Sequence, residues 1–434
     1  MIKRIGIVFR GYYLGFSVQV VETAKALAKH GFLVDIFIDE AAYAASPIEF
    51  AEPNIKLVVL QAKQASSFQS PLLLPAPGSL GRLFHRLKLS TFAYAHWLLP
   101  FTPALGSPKD FYLTYAARMR PFLNQIAEFA SDKEYVALIG VEPAGLIAAH
   151  CVMMFLNQTR CRLLYYNMEL LQHTRSMSSG VHLKKHVEIL ISKECLFTVI
   201  ADEYRGKVYA KANGLEMNRI RCLPVSTSGQ PIRSKGNYLQ KRFNLSPDVK
   251  IVLYAGNVLA RWAMCYEIVE SVSNWPENYV LVLHTWKSSA AEDPHFQEMV
   301  RIAPPGRVFF STQPVSPDEL PELLSSADIG LAFYQPEDAN DANQAEIGSS
   351  SNKLAQYARV GLPVIASNLP SIQRIFDRFH CGVCLNTPAQ IGTALEPLFQ
   401  NYARFREGAF ESYVRHYEFS AGFEPILAEL LQMT

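Results

Sequence analysis

Short apolar runs alternate along the chain with segments whose apolar residues recur at helical spacing. Ile5 to Phe9 reads as a buried strand and runs into the turn Arg10-Gly11-Tyr12-Tyr13-Leu14-Gly15-Phe16-Ser17. Val20, Val21, Ala24, Leu27 and Ala28 then share one helical face between Val18 and His30, with Ser17 placed to cap the helix and Gly31 to end it. Leu33 to Ile38 is the next strand. Strand, Gly-containing turn, helix and strand make the first unit of a doubly wound α/β domain. Gly11 and Gly15 do not fit the G-x-G-x-x-G dinucleotide fingerprint.

The alternation continues through strands at Leu57 to Leu60, Val136 to Gly140, Leu163 to Tyr166 and Phe197 to Ala201, with Val141-Glu142-Pro143 turning into a helix from Ala144 to Phe155. It breaks between Ser70 and Phe101, which is Pro-rich at both ends. There Leu80, Leu83, Phe84 and Leu87 make an apolar stripe opposite Arg82, His85, Arg86 and Lys88, with Phe92, Tyr94 and Trp97 beyond. A basic amphipathic helix of this kind either lies on an anionic membrane surface, through residues 79–98, or packs on its own domain as a helical insertion. A polar stretch from Ser226 to Val249 reads as an interdomain linker with a short helix around Tyr238 to Phe243. A second series follows, with strands at Ile251 to Tyr254, Val280 to His284, Arg307 to Phe310 and Ala327 to Leu331, and a last helix from Glu424 to Leu431.

The segment Ser349 to Ser367 joins pattern to chemistry. Small hydroxyl residues open a helix whose apolar face is Leu354, Ala355, Tyr357 and Ala358; Gly361 ends it, and Val364-Ile365-Ala366 is a short strand after Pro363. The helix start, Ser349, Ser350, Ser351, Asn352 and Lys353, offers unpaired N–H groups, hydroxyls and a cation, a combination suited to phosphate or pyrophosphate. An ordinary capped helix would show the same residues.

Composition narrows the class. A chain of 434 residues exceeds one typical domain, and 49% apolar against 18% charged residues supports a large core. Forty-one basic against 39 acidic residues, a net charge of +2, gives no case for nucleic acid. The first residues enter a strand with no signal core, and no run of about 18 apolar residues suggests a membrane span. Seven cysteines, mostly in apolar segments, suit a reducing compartment, so a cytoplasmic location is expected, with peripheral contact at the inner membrane face if residues 79–98 make it. Cys381-Gly-Val-Cys384 has redox spacing, but packing explains it better. Asp338-Ala339-Asn340-Asp341 reads as a solvated loop, and no metal is expected.

Ser349 to Ser367 resembles the donor-binding segment of the retaining nucleotide-sugar glycosyltransferases of family 4, where such a helix and a Gly-x-Pro-Val-Ile strand hold the donor. Asp202-Glu203-Tyr204-Arg205, Leu223-Pro224-Val225-Ser226 and Ala255-Gly256-Asn257 resemble further family segments, and the likeness is strongest from about Tyr254 to Leu385. It implies a GT-B fold, two Rossmann-like doubly wound domains facing a central cleft. Residues 1–228 would form the acceptor-side domain, with a helical insertion at about 70–130. Residues 229–410 would form the donor domain, and 411–434 would cross back. The implied activity moves a hexosyl group from a UDP- or GDP-sugar to a glycan, lipid or protein acceptor, with retention, no metal and no cofactor beyond the co-substrate.

The resemblance implies Arg261 and Lys353 as the groups that neutralise the leaving diphosphate, with Lys287 behind them. It places Gly11, Gly256, Asn257, Glu346, Ser349, Ser350, Ser351, Asn352 and Gln356 around the donor, and Tyr12, Tyr13, Glu169 and His173 on the acceptor side. Two departures stand out. The family's Glu-x7-Glu pattern falls on Gly348 and Gln356, and Asn167 and Glu169 lie where many members carry a His. The second bears on the acceptor chemistry; the first, Gly348 and Gln356, favours a rival reading, a catalytically weak protein that binds a sugar nucleotide or a partner. An epimerase of the same fold would need a His/Glu/Asp set that is not found at clear positions.

Overall fold

The computed structural model describes residues 3–11, 14–61, 112, 116, 119–158, 160–171, 179–336 and 341–433. Thirteen strands lie in these residues and form two separate, wholly parallel sheets. The first contains β1 (Arg4–Phe9), β2 (Leu33–Asp39), β3 (Ile55–Leu60), β4 (Ala137–Val141), β5 (Arg162–Tyr166), β6 (Thr198–Ile200) and β7 (Ile220–Cys222), in the order 3-2-1-4-5-6-7. The second contains β8 (Lys250–Ala255), β9 (Tyr279–His284), β10 (Val308–Ser311), β11 (Ile329–Ala332), β12 (Val364–Ser367) and β13 (Gly382–Leu385), in the order 10-9-8-11-12-13. Parallel strands need crossover helices on both faces, so the central strands are buried throughout and read as continuous apolar runs. β4, β9, β11 and β12 have every residue buried.

The chain divides into two compact units, Met1–Leu223 with Phe423–Thr434, and Pro224–Gly422. The second unit thus runs on to Gly422. The reason lies in two tyrosines: Tyr413 donates to the carbonyls of Thr227 and Gly229 at 2.9 and 3.0 Å, and Tyr417 to that of Gly348 at 2.9 Å. In the first unit the C-terminal helix is held to β7 by Arg221, whose guanidinium donates to both carboxylate oxygens of Glu429.

Each sheet reverses its strand order once, between β1 and β4 in the first and between β8 and β11 in the second. In open α/β sheets the crevice at the carboxyl ends of the strands flanking such a reversal is where ligands bind. Residues 79–98, most of the 70–130 insertion, and Asp338 to Asn340 lie outside the described residues. Among the described residues no helix is long and apolar enough to cross a membrane.

Candidate functional site

At the reversal of the second sheet, β8 ends in Tyr254-Ala255 and turns at Gly256, whose φ of +154° is rarely adopted by residues with a side chain. Its N–H donates to the His284 carbonyl at the end of β9. A Cβ here would stand 3.2 Å from Lys353 Cε and 3.6 Å from Nζ, so the glycine leaves room for that side chain.

Lys353 is on the first turn of the helix Asn352–Arg359. Leu354, Ala355, Tyr357 and Ala358 bury one face of this helix, while Asn352, Lys353 and Gln356 lie on the half-buried side. Although Lys353 is half-exposed as a residue, its Nζ is sealed and has no hydrogen-bond partner. Nζ lies 3.5 Å from the Tyr254 ring centre and 5.3 Å from that of Tyr334, just past β11. Trp262 stacks on Tyr334 at 5.9 Å, with 10° between the ring planes. Burial pushes the Tyr254 hydroxyl well above its ordinary range, and Tyr334 and the Cys265 thiol up to about 12. These neighbours are therefore neutral, and among the described residues the Lys353 amine faces aromatic rings with no anion beside it. Desolvation lowers its pKa to about 7. A buried cation without a partner is costly, and its cost falls when an anion arrives.

The helix start is only partly available. Ser349 Oγ pairs with His416 Nε2 at 3.1 Å, Ser350 Oγ donates to the Ile347 carbonyl, and Ser351 Oγ accepts from Leu354 N while meeting Tyr334 Oη at 2.6 Å. The N–H groups of Asn352 and Lys353 meet no backbone acceptor among the described residues, as expected at a helix start. The side-chain oxygen of Asn352 is buried without a partner.

Arg261 begins a short turn, Arg261–Ala263, that is tied down by Gln335 N donating to the Trp262 carbonyl at 2.8 Å. Its own side chain is exposed. Asn257 Oδ1 accepts from Leu259 N, and Lys287 lies 5.3 Å from the Trp286 ring at the end of β9. The structure thus brings together Gly256, Lys353, Tyr254, Tyr334 and Trp262, with Arg261 on the adjoining turn. Glu346 is drawn off into an ion pair with Arg374. Gly348 is a crowded position: a Cβ would meet Ile375 Cδ1 at 2.8 Å and the Ser371 carbonyl oxygen at 3.0 Å, so any side chain there requires its neighbours to shift. Among the described residues no group of His, Cys, Asp and Glu could hold a metal.

At the reversal of the first sheet, β1 and β4 pair with Phe9 opposite Val141, which sets the Arg10-Gly11 turn beside Glu142. Among the described residues a Cβ at Gly11 would meet the Phe9 ring first, at 3.4 Å, an ordinary contact. Tyr12, Tyr13 and His173 lie outside the described residues. Glu169 N donates to the carboxylate of Glu142. Asn167 is buried, with its amide nitrogen 3.0 Å from Tyr165 Oη.

Sequence reasoning took Glu142 only as part of a turn. It is the first residue of the helix Glu142–Leu156 and has φ +59°, a left-handed conformation uncommon for glutamate. The helix cannot ease this strain by moving: a Cβ at Gly145 would be 2.3 Å from the Val8 carbonyl, so helix and β1 are in close contact. Glu142 Oε1 accepts from Met168 N at 2.7 Å and Glu169 N at 3.0 Å. Burial, then the Glu169 charge, raise its carboxyl to about 8. A charged residue closing an apolar strand just before a helix-starting Pro was the available signal.

No protein-family model and no curated protein sequence matches the chain. Solved structures do. HepE of Anabaena in complex with UDP and glucose superposes with a TM-score of 0.65 at 12% identity, over 99% of this chain and 100% of that one. Sucrose-phosphate synthase from Thermosynechococcus elongatus gives 0.64 at 13%, over all of both chains. WaaG, a glycosyltransferase involved in lipopolysaccharide biosynthesis, gives 0.55 at 12%, over 97% of this chain and 98% of that one. At these identities the likeness is one of fold, and the two sheets with their crossover helices are those of the GT-B glycosyltransferases.

Proposed function

We propose that this protein is a glycosyltransferase that takes a hexosyl group from a UDP- or GDP-sugar and passes it, with retention, to a hydroxyl of a glycan, lipid or protein. The reading is supported most by one observation: the sealed, unpartnered ammonium of Lys353 at the reversal of the second sheet. A diphosphate oxygen would supply its missing partner, and the Asn352 and Lys353 N–H groups add donors aligned with the helix dipole. As the sugar–phosphate bond breaks, negative charge grows on the leaving nucleoside diphosphate; fixed cations and N–H dipoles stabilise that charge most in the transition state. Arg261 would close on the phosphates from the adjoining turn, and Gln356 offers the donor ribose one acceptor and one donor group. These groups replace a divalent metal, so transfer proceeds in EDTA. HepE, a structure similar in fold, is described as bound to UDP and glucose.

Gly348 and Gln356, which stand at both of the family's glutamate positions, favour a second reading, sugar-nucleotide binding with weak turnover. One experiment separates the readings. UDP-glucose, UDP-galactose, UDP-N-acetylglucosamine and GDP-mannose are each added to wild type and Lys353→Ala, and melting temperature and nucleotide release are recorded. A true donor at a hundredfold excess over Kd adds about 2.7 kcal/mol to wild-type stability. The shift disappears in the variant, and nucleotide is released by wild type. A shift without release supports the weak binder; no shift with any of the four overturns both.

A further inference from the structure

The loop that leads into the Asn352–Arg359 helix takes its shape from outside itself. Gly348 N donates to Ser371 Oγ at 2.9 Å, and the Gly348 carbonyl accepts from Tyr417 Oη at 2.9 Å. The Ser349 carbonyl accepts from Val225 N at 2.9 Å, and Ser349 Oγ pairs with His416 Nε2 at 3.1 Å. Four hydrogen bonds thus fix two residues, and each reaches a different residue elsewhere in the chain. All of these residues lie in the second unit, Pro224–Gly422.

His416 and Tyr417 belong to one turn, Tyr413–Tyr417, that is wound as a π-helix. Glu418 N donates to the Tyr413 carbonyl, five residues back, at 2.7 Å. A π-turn is a rare form, found mostly as a single bulge within a helix and frequently at functional sites. Here it sends three side chains to two places. The Tyr413 hydroxyl serves the carbonyls of Thr227 and Gly229, while His416 and Tyr417 reach Ser349 and Gly348. The His416 ring stands edge-on to Tyr417, with 4.7 Å between centres, and is tilted against Phe379 at 6.2 Å. Burial, then the Arg378 charge, lower its pKa to about 4. The ring is therefore neutral near pH 7 and brings the helix start a hydrogen bond without a charge.

We propose that His416 and Tyr417 position the start of the Asn352–Arg359 helix for the donor diphosphate, a role that rests on the glycosyltransferase reading above. They act through Ser349 and Gly348 rather than on the ligand. Ser350 N and Ser351 N both donate to the Ile347 carbonyl, which closes the loop into one tight turn. Ser351 Oγ then caps the helix on Leu354 N and meets Tyr334 Oη. A shift of Gly348 and Ser349 is thereby passed to Ser351 and to the Asn352 and Lys353 N–H groups. Donors aimed at an anion are worth most when their geometry is fixed before the ligand arrives.

The test ranks variants of the full chain in two ways: by melting temperature, and by affinity for UDP-glucose in calorimetry well below every melting point. Where another of the four sugar nucleotides named above stabilises wild type more, that one is used. His416→Phe keeps a ring against Tyr417 and Phe379 and loses the bond to Ser349. His416→Gln loses the ring and returns an N–H-bearing nitrogen to the place of Nε2. Tyr417→Phe strips the Gly348 carbonyl of its hydroxyl partner, and Tyr413→Phe strips the two carbonyls of Thr227 and Gly229. If the turn only packs, the two rankings agree, with His416→Gln and Tyr413→Phe lowest in both. The positioning role inverts them. Donor affinity falls by about fivefold to tenfold in His416→Phe and in Tyr417→Phe, and His416→Gln recovers part of that loss. It changes by less than about twofold in Tyr413→Phe, the tyrosine variant expected to melt lower. Affinities that follow melting temperature, or that stay within about twofold of wild type in His416→Phe and Tyr417→Phe, overturn the positioning role and leave the donor reading standing. A wild type that binds none of the four overturns the donor reading, and this role with it.

Discussion

The two strand-order reversals share an architecture and differ in chemistry. In the second sheet a cation is buried among aromatic rings and lacks an anion. In the first, a carboxyl is held in strained backbone with one oxygen uncommitted. Parallel sheets of similar topology therefore present an amine at one reversal and a carboxyl at the other, and burial disfavours the charged form of each. Stability is given up at both points, which is the pattern of functional groups rather than of packing. The difference is also one of chemistry: an unpartnered buried amine is relieved by an anion, a carboxyl by a hydrogen-bond donor.

The largest expected effect breaks one side of this comparison and leaves the other. Lys353→Ala lowers donor affinity by about 1000-fold, close to 4 kcal/mol, as loss of a buried charged partner does. Lys353→Met, which fills the same space, raises the melting temperature at pH 6, because it removes a desolvated ammonium. That gain shrinks with pH. The folded Lys353 pKa, about 7, is below the ordinary 10.5, so wild-type stability is recovered as pH rises from 7 toward 10.5. Thermal melts of both proteins at pH 6, 8 and 10 check the sign; a Met variant that melts lower at pH 6 contradicts it.

Next comes Arg261. Under the proposed function its exposed guanidinium would tighten on the leaving group only as charge develops, so Arg261→Ala is expected to lower kcat by about 100-fold, roughly 2.7 kcal/mol, with KM changed much less. Arg261→Lys recovers part of this, since an ammonium cannot bridge two phosphate oxygens. Initial rates on both variants decide it; a near wild-type kcat in the Ala protein removes Arg261 from the site. A smaller effect sharpens the geometry of the cation. Gly256→Ala adds a methyl 3.2 Å from Lys353 Cε at a φ of +154°. It should cost about 1–3 kcal/mol of stability by denaturant unfolding and weaken donor binding with it. Smallest of all, EDTA leaves the transfer rate unchanged, and a strict Mg2+ requirement would count against charge supplied by the protein.

The fold was readable from the sequence because parallel, doubly covered strands leave continuous apolar runs between amphipathic helices. The Asn352–Arg359 helix and its Gly361 stop were visible for the same reason. Gly361 has φ +66°, and a Cβ there would sit 2.2 Å from Phe410 Cζ, so both backbone and packing demand glycine. Lys353 could be picked out as a cation at a helix start. Its sealing could not, since Tyr254, Tyr334 and Lys353 are far apart in the chain and meet only through the order of β8 and β11. Glu346 and the serine hydroxyls looked available in one dimension; Arg374, His416 and Tyr334 claim them in three. Glu142 escaped because backbone strain leaves no mark on a pattern of apolar and polar residues.

The central claim is that Lys353 waits for a diphosphate, and the pH dependence of UDP-glucose affinity tests it most directly. The diphosphate of UDP-glucose carries no group titrating in this range, and its uracil N3–H ionises only toward the alkaline end, so a slope that sets in near pH 7 belongs to the protein. Calorimetry across that range, repeated in two buffers of different ionisation enthalpy, reports affinity and proton uptake together. Affinity should hold below pH 7 and fall by up to about tenfold per pH unit above it, with up to one proton taken up on binding, because the ligand favours the charged form of Lys353. Lys353→Met should bind weakly with no slope. Tight binding that is flat from pH 6 to 9, equal in wild type and variant, would contradict the account.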